Sequence, residues 1–171
     1  MSTSQLVLNA ALLAFVLLTN LGTRRVTGRR LLLPLVLVAV AGAVFLRDVP
    51  TVGGDGRLEL AGALTGVALG IAAGALMPVG RDGGGALVTR AGAGYAALWL
   101  LVIGGRVAFA YAATGWAARG VGEFSMAHQI TGAAAWTAAL VMMALAMVLT
   151  RVVVTAARAR ALAGGRAVVA S

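Results

Sequence analysis

The chain has no cysteine, and every one of its basic residues is arginine. Without cysteine there is no disulfide, no dithiol redox couple, no thiolate nucleophile and no cysteine metal ligand. Charge is scarce as well, at 11% of residues, and acids are the scarcest part of it, five against fourteen arginines. A soluble domain of 171 residues cannot clothe its surface with so few polar groups. Catalytic signatures are missing too: the sequence contains no CxxCH, no HExxH, no GxSxG and no GxxxxGK[ST]. The stretch RDGGGALVTR has the glycines of a phosphate loop but lacks the lysine, and no strand is expected before it.

What is present is apolar. Hydrophobic residues make up 61% of the chain, and mean hydropathy is +0.97. Apolar stretches of about 20 residues span a hydrocarbon core. Five candidates occur, at about 5–21, 31–46, 60–77, 92–113 and 127–150. The sequence therefore predicts an all-α fold, a polytopic membrane helix bundle forming a single integral membrane domain over 1–171. A basic tail follows at 151–171. No positive charge precedes the first apolar run, which reads as a retained helix rather than a signal peptide. Pro34 is expected in the first turn of the second helix, where a missing N–H costs least.

Arginine placement sets the expected orientation. Arg24, Arg25, Arg29 and Arg30 follow the first span, Arg81 and Arg90 the third, and Arg151, Arg158, Arg160 and Arg166 the fifth. Only Arg47, Arg57 and Arg119 fall on the opposite side. Positive residues stay in the cytoplasm, so a multi-pass protein of the cell membrane is expected, N-terminus outside and C-terminus inside. The net charge of +9 is read as contact with anionic lipid. Nucleic acid is not expected, because no basic patch is interleaved with aromatics on a soluble face. The glycine-rich segments RDVPTVGGDGR and RDGGGALVTR read as flexible connections.

Two features stand out within the spans. Gly62, Gly66, Gly70 and Gly74 recur at every fourth position of the third helix, making one slowly winding face for close helix packing. The neighbour is a helix of the same chain, for which the alanine-rich TGAAAWTAAL of the fifth span is suitable, or a second copy, or a flat ligand or lipid chain. The second feature is Arg106, inside LWLLVIGGRVAFAYAA. A guanidinium at membrane depth usually faces the bundle and has a partner. Glu59, Asp48 and Glu123 are the candidates. Arg106 lies seven residues before Ala113, roughly 10 Å below the boundary, so outward snorkelling is the plainer alternative. Trp99, Ile103, Phe109 and Ala110 share its helical face.

His128 and Gln129 are expected to open the fifth helix. With Glu59, Glu123 and Arg106 they would form a polar pocket in the outer half for a lipid headgroup, quinone or haem. His128 is an axial haem ligand in principle, with Met126 a poor second, and an interfacial hydrogen-bonded histidine otherwise. No cofactor or dedicated metal site follows from these residues. Trp116, Tyr111 and Phe124 read as an interfacial aromatic belt. Five spans do not divide into inverted halves, which weakens a transporter reading.

RRVTGRRLLLPLV, GALTGVALGIAAGALM and the arginine in LLVIGGRVAFAY together resemble the CcdC-like family of small multi-helix membrane proteins, over roughly residues 10–113. The resemblance implies no established biochemical activity and an association with the thiol-redox proteins of cytochrome c maturation. It marks Arg106 and the basic loop Arg24, Arg25, Arg29 and Arg30 as important positions. Without cysteine, any such role is that of a partner. The leading expectation is a non-enzymatic accessory or assembly protein that packs against a membrane partner or a second copy of itself. A small-ligand carrier or membrane enzyme is the alternative.

Overall fold

The computed structural model describes residues 22–25, 28–45 and 53–164. In chain order the elements are β1 (Gly22–Arg25), α1 (Gly28–Phe45), α2 (Asp55–Ala75), β2 (Val79–Arg81), β3 (Leu87–Ala91), α3 (Ala93–Thr114), α4 (Ala118–Ala127) and α5 (Ala133–Gly164). Three of these helices, α2, α3 and α5, are long and apolar enough to cross a membrane. The first apolar run, Asp48, Arg166 and the end of the basic tail lie outside the described residues.

The bundle is organised around α2 and α5. Gly62 sits against the backbone of Ala139, Gly66 against Met143 and Ala146, Gly70 against Met147 and Thr150, and Gly74 against Val154. The contacts advance together along both chains, so the two helices run parallel. A Cβ at any of the four positions would overlap its neighbour. The opposite face of α2 carries Leu60, Leu64, Val67 and Ile71, all exposed. Helix packing in lipid gains nothing from hiding leucine, so small residues face the helix and large ones face outward.

α3 lies across this pair, with Ala73 of α2, Met77 just beyond the end of α2 and Met147 of α5 clustering around its Tyr95, Trp99 and Val102. Tyr95 is fully buried, and its hydroxyl accepts a hydrogen bond of 3.0 Å from Arg151 Nη1. At the far end of α3, Phe109 packs on Trp136 with ring centroids 5.1 Å apart. The contacts 95–151 and 109–136 run in opposite directions, so α3 is antiparallel to α5.

Three corrections to the sequence reading follow. First, the fold is not purely helical. β1, β3 and β2 form a three-stranded antiparallel sheet in that order, with Gly22 opposite Ala91, Arg25 opposite Val88 and Arg81 opposite Leu87. Asp82 Oδ1 closes the hairpin by accepting from Gly84 N (3.0 Å) and Ala86 N (2.8 Å), and Gly85 takes φ +80. The segment read as a flexible loop is thus a hairpin, and the strand preceding its glycines leads into a tight turn rather than a phosphate loop. Second, the helix expected at 127–150 starts only at Ala133, after a short unforeseen α4 and a turn at residues 128–132, and runs on to Gly164 as α5. Third, α1 starts at Gly28, so Pro34 stands in the helix interior rather than the first turn.

The turn between α4 and α5 locks onto the start of α2. Gln129 adopts φ 54, uncommon for a side-chain-bearing residue, and its carbonyl accepts from Gly54 N at 2.9 Å. Gly53 and Gly54 press on the backbone of Gln129 and His128 so closely that a Cβ at either would overlap it. Asp55, fully buried, accepts from Thr131 N (2.9 Å) and from the Thr131 hydroxyl. Asp55→Ala would leave that N–H without its acceptor, and is expected to cost about 3 kcal/mol. Thr131→Val is expected to cost about 1 kcal/mol. Thermal unfolding in detergent measures both; equal midpoints for Asp55→Ala and the wild type would show that this tie holds nothing.

Candidate functional site

Arg106 shares a face of α3 with Tyr95, Trp99, Val102 and Phe109, at spacings of eleven, seven, four and three. It is half-buried there. The antiparallel register of α3 and α5 sets it near the level of Ala139 and, through the α2–α5 packing, of Gly62. Glu59 lies one turn from Gly62 on α2, so both charges occupy the same half of the bundle. They are not joined. Among the described residues Arg106 makes no hydrogen bond and no ion pair.

The acids that sequence reasoning offered as its partner are engaged elsewhere or apart. Glu123 lies on α4, where Arg119 Nε meets its Oε1 at 2.9 Å in an exposed pair one helical turn apart. Glu59 lies one turn along α2 from Asp55, and its Oε1 is buried with no hydrogen-bond partner among the described residues. Asp48 lies outside the described residues. The remaining acid, Asp82, belongs to the hairpin turn at the opposite end.

The residues expected in one outer pocket, with Trp99 on the Arg106 face, are not bonded to one another across elements. No hydrogen bond, ion pair or ring contact among the described residues links Arg106, Glu59, Glu123, His128, Gln129 and Trp99 across elements. Trp99 is buried beside Tyr95, with ring centroids 6.2 Å apart. His128 does not open a helix: it caps the end of α4, Nδ1 lies 2.9 Å from the Phe124 carbonyl, and its ring stacks on Phe124 at 4.0 Å. Gln129 acts through its backbone. Among the described residues no group of three His, Cys, Asp or Glu could hold a metal ion. Met126 is 74% exposed, so it does not complete a haem pocket with His128.

Around His128 the structure builds an aromatic cluster instead. Phe124 and Trp136 stand 6.0 Å apart, Phe109 joins from α3, and Trp136 Nε1 donates to Ser125 Oγ at 3.1 Å. Trp116 at 86% exposed and Tyr111 at 68% lie outside this cluster. Sequence reasoning passed over Asp55, Thr131 and Tyr95. An acid directly after Gly-Gly at the head of an apolar run was the available signal for Asp55; nothing in the sequence pointed to Thr131 or to the Tyr95–Arg151 bond.

Compared with known proteins, the chain matches no family model, no curated protein and no solved structure. The functional reading therefore rests on the residues. Its centre is a half-buried arginine on a helix fit to cross a membrane, with no acceptor among the described residues.

Proposed function

We propose that this chain is a non-enzymatic accessory subunit of a membrane complex, and that Arg106 receives its acceptor from the partner. One observation carries the reading: the guanidinium is half-buried in an apolar wall, while Asp55 is engaged by Thr131 and Glu123 by Arg119. A charge at that depth costs several kcal/mol unless it is paired, about 3 on insertion scales. A carboxylate or carbonyl on a neighbouring membrane protein would remove that cost and fix the register of the two. The resemblance to CcdC-like proteins adds a class of partner, the membrane components of cytochrome c maturation.

In this reading the chain has five spans, with the N-terminus outside, the C-terminus in the cytoplasm and the sheet on the cytoplasmic side. Arg24, Arg25, Arg29 and Arg30 belong to that side. The glycine face of α2 serves internal packing, which leaves α3 for the partner.

A second reading has one observation in its favour. The buried, unbonded Oε1 of Glu59 lies in the same half as Arg106, and a small ligand with both a donor and an acceptor would satisfy the two. A lipid headgroup or a quinone has the required chemistry. Native mass spectrometry of the chain released from its own membranes separates the readings. A second protein chain lost in Arg106→Leu supports the accessory subunit; a second copy of this chain makes the partner itself; a retained small molecule lost in both Arg106→Leu and Glu59→Gln supports the ligand.

A further inference from the structure

α2 and α3 meet the sheet at the end of the bundle where α2 finishes and α3 begins. α2 has 21 residues and α3 has 22, about 30 Å each at 1.5 Å per residue, which matches the hydrocarbon thickness. α5 has 32 residues, about 48 Å. Starting from Ala133, it reaches Arg151 after about 27 Å. The last turns of α5 therefore stand beyond the hydrocarbon, beside the sheet.

This end is dense in guanidinium groups. Arg151, Arg158 and Arg160 come from α5, Arg81 from β2 and Arg90 from β3, while β1 adds Arg24 and Arg25 to the same sheet. Three are held by neutral oxygens: Arg151 Nη1 donates to the Tyr95 hydroxyl at 3.0 Å, Arg158 Nη1 to Gly74 O at 2.9 Å, and Arg81 to Gly85 O and Leu162 O, each at 2.9 Å. Carbonyls fix a guanidinium without cancelling its charge. Arg90 and Arg160 are exposed, with no side-chain hydrogen bond or ion pair among the described residues. Asp82 is the one acid described at this end, and its Oδ1 is engaged by two N–H groups of the hairpin turn.

We infer that the sheet and the projecting turns of α5 form a binding surface for the phosphate headgroups of anionic phospholipid. Arg81 and Arg158 supply a fixed positive frame, and Arg90 and Arg160 are the free arms that reach phosphate. Their position at the hydrocarbon edge selects lipid over a dissolved anion, because acyl chains lie along the exposed apolar faces of α2 and α3 while the phosphate meets the arginines. The surface is at the other end of the bundle from Glu59 and does not depend on the partner proposed for Arg106.

The test is native mass spectrometry of the purified full chain, titrated with phosphatidylglycerol and with phosphatidylcholine of the same acyl chains. Preferential binding of phosphatidylglycerol is expected. Each surface arginine contributes about fivefold toward anionic lipid, so Arg90→Gln with Arg160→Gln is expected to weaken it about twentyfold. Arg119→Gln, at the opposite end, is expected to leave it unchanged. Neither arm of the double variant holds the fold, so an unaltered thermal midpoint accompanies the expected loss. Equal binding of the two lipids overturns the proposal, as does a preference that survives the double variant. Complete displacement by inorganic phosphate at millimolar concentration would assign the surface to a free anion, and displacement by an oligonucleotide at matched charge to polyanions in general; either result overturns the lipid assignment.

Discussion

Gly66→Leu is expected to abolish recovery of folded, monodisperse protein, while Gly104→Leu is expected to be tolerated. The two glycines lie in spans of similar length and differ in what surrounds them. A Cβ at Gly66 would fall onto the Met143 carbonyl and the Ala146 methyl, whereas nothing lies within 4 Å of a Cβ at Gly104. Backbone cannot step aside as a side chain tip can, so even Gly66→Ala is expected to cost about 1–3 kcal/mol. Leucine would push α2 off α5 along its length, and few chains have stability to spare for that. At Gly104 the helix gains propensity, up to about 1 kcal/mol for alanine. Size-exclusion profiles and thermal midpoints in detergent report both. Equal recovery of Gly66→Leu and wild type would mean that the two helices do not meet there.

Arg106→Leu is expected to separate stability from association. With no acceptor among the described residues, the guanidinium contributes desolvation cost and no bond to any of them. Replacing it with leucine should leave the thermal midpoint of the isolated chain unchanged or raise it. The complex should suffer instead: removing one partner of a buried, hydrogen-bonded charge pair typically costs about 2–5 kcal/mol, or at least about thirtyfold in affinity. Wild type and variant compared as isolated chains and as membrane extracts give both numbers. A large fall in the midpoint of the isolated chain would place Arg106 in the chain's own fold.

The membrane character was legible because it follows from composition, and three of the apolar runs became helices long enough to cross. The glycine positions were legible too, since a step of four on a helix fixes a face whatever packs there. Its neighbour was legible in part: alanine-rich TGAAAWTAAL suits close approach, and Gly62 does sit against Ala139 in it, though glycine by itself records closeness and not what comes close. The sheet was hidden by its own arginines: TRR and LVTR pair as strands, yet their charges matched the pattern of a connecting loop. The turn at residues 128–132 was hidden because His128 and Gln129 read as the polar opening of the apolar run that follows them. The Arg106 environment was half legible. Its inward face followed from helical spacing with Trp99 and Phe109. That Glu123 turns to Arg119 depends on α4, a helix absent from the sequence reading.

The central claim is that another membrane protein lies against α3 at the level of Arg106. A photo-crosslinking amino acid in place of Ala110, one turn from Arg106 on the same side of α3, tests this in intact membranes. Irradiation is expected to give a discrete protein-sized adduct that disappears when Arg106→Leu is added. Lipid-sized adducts alone, unchanged by Arg106→Leu, would contradict it.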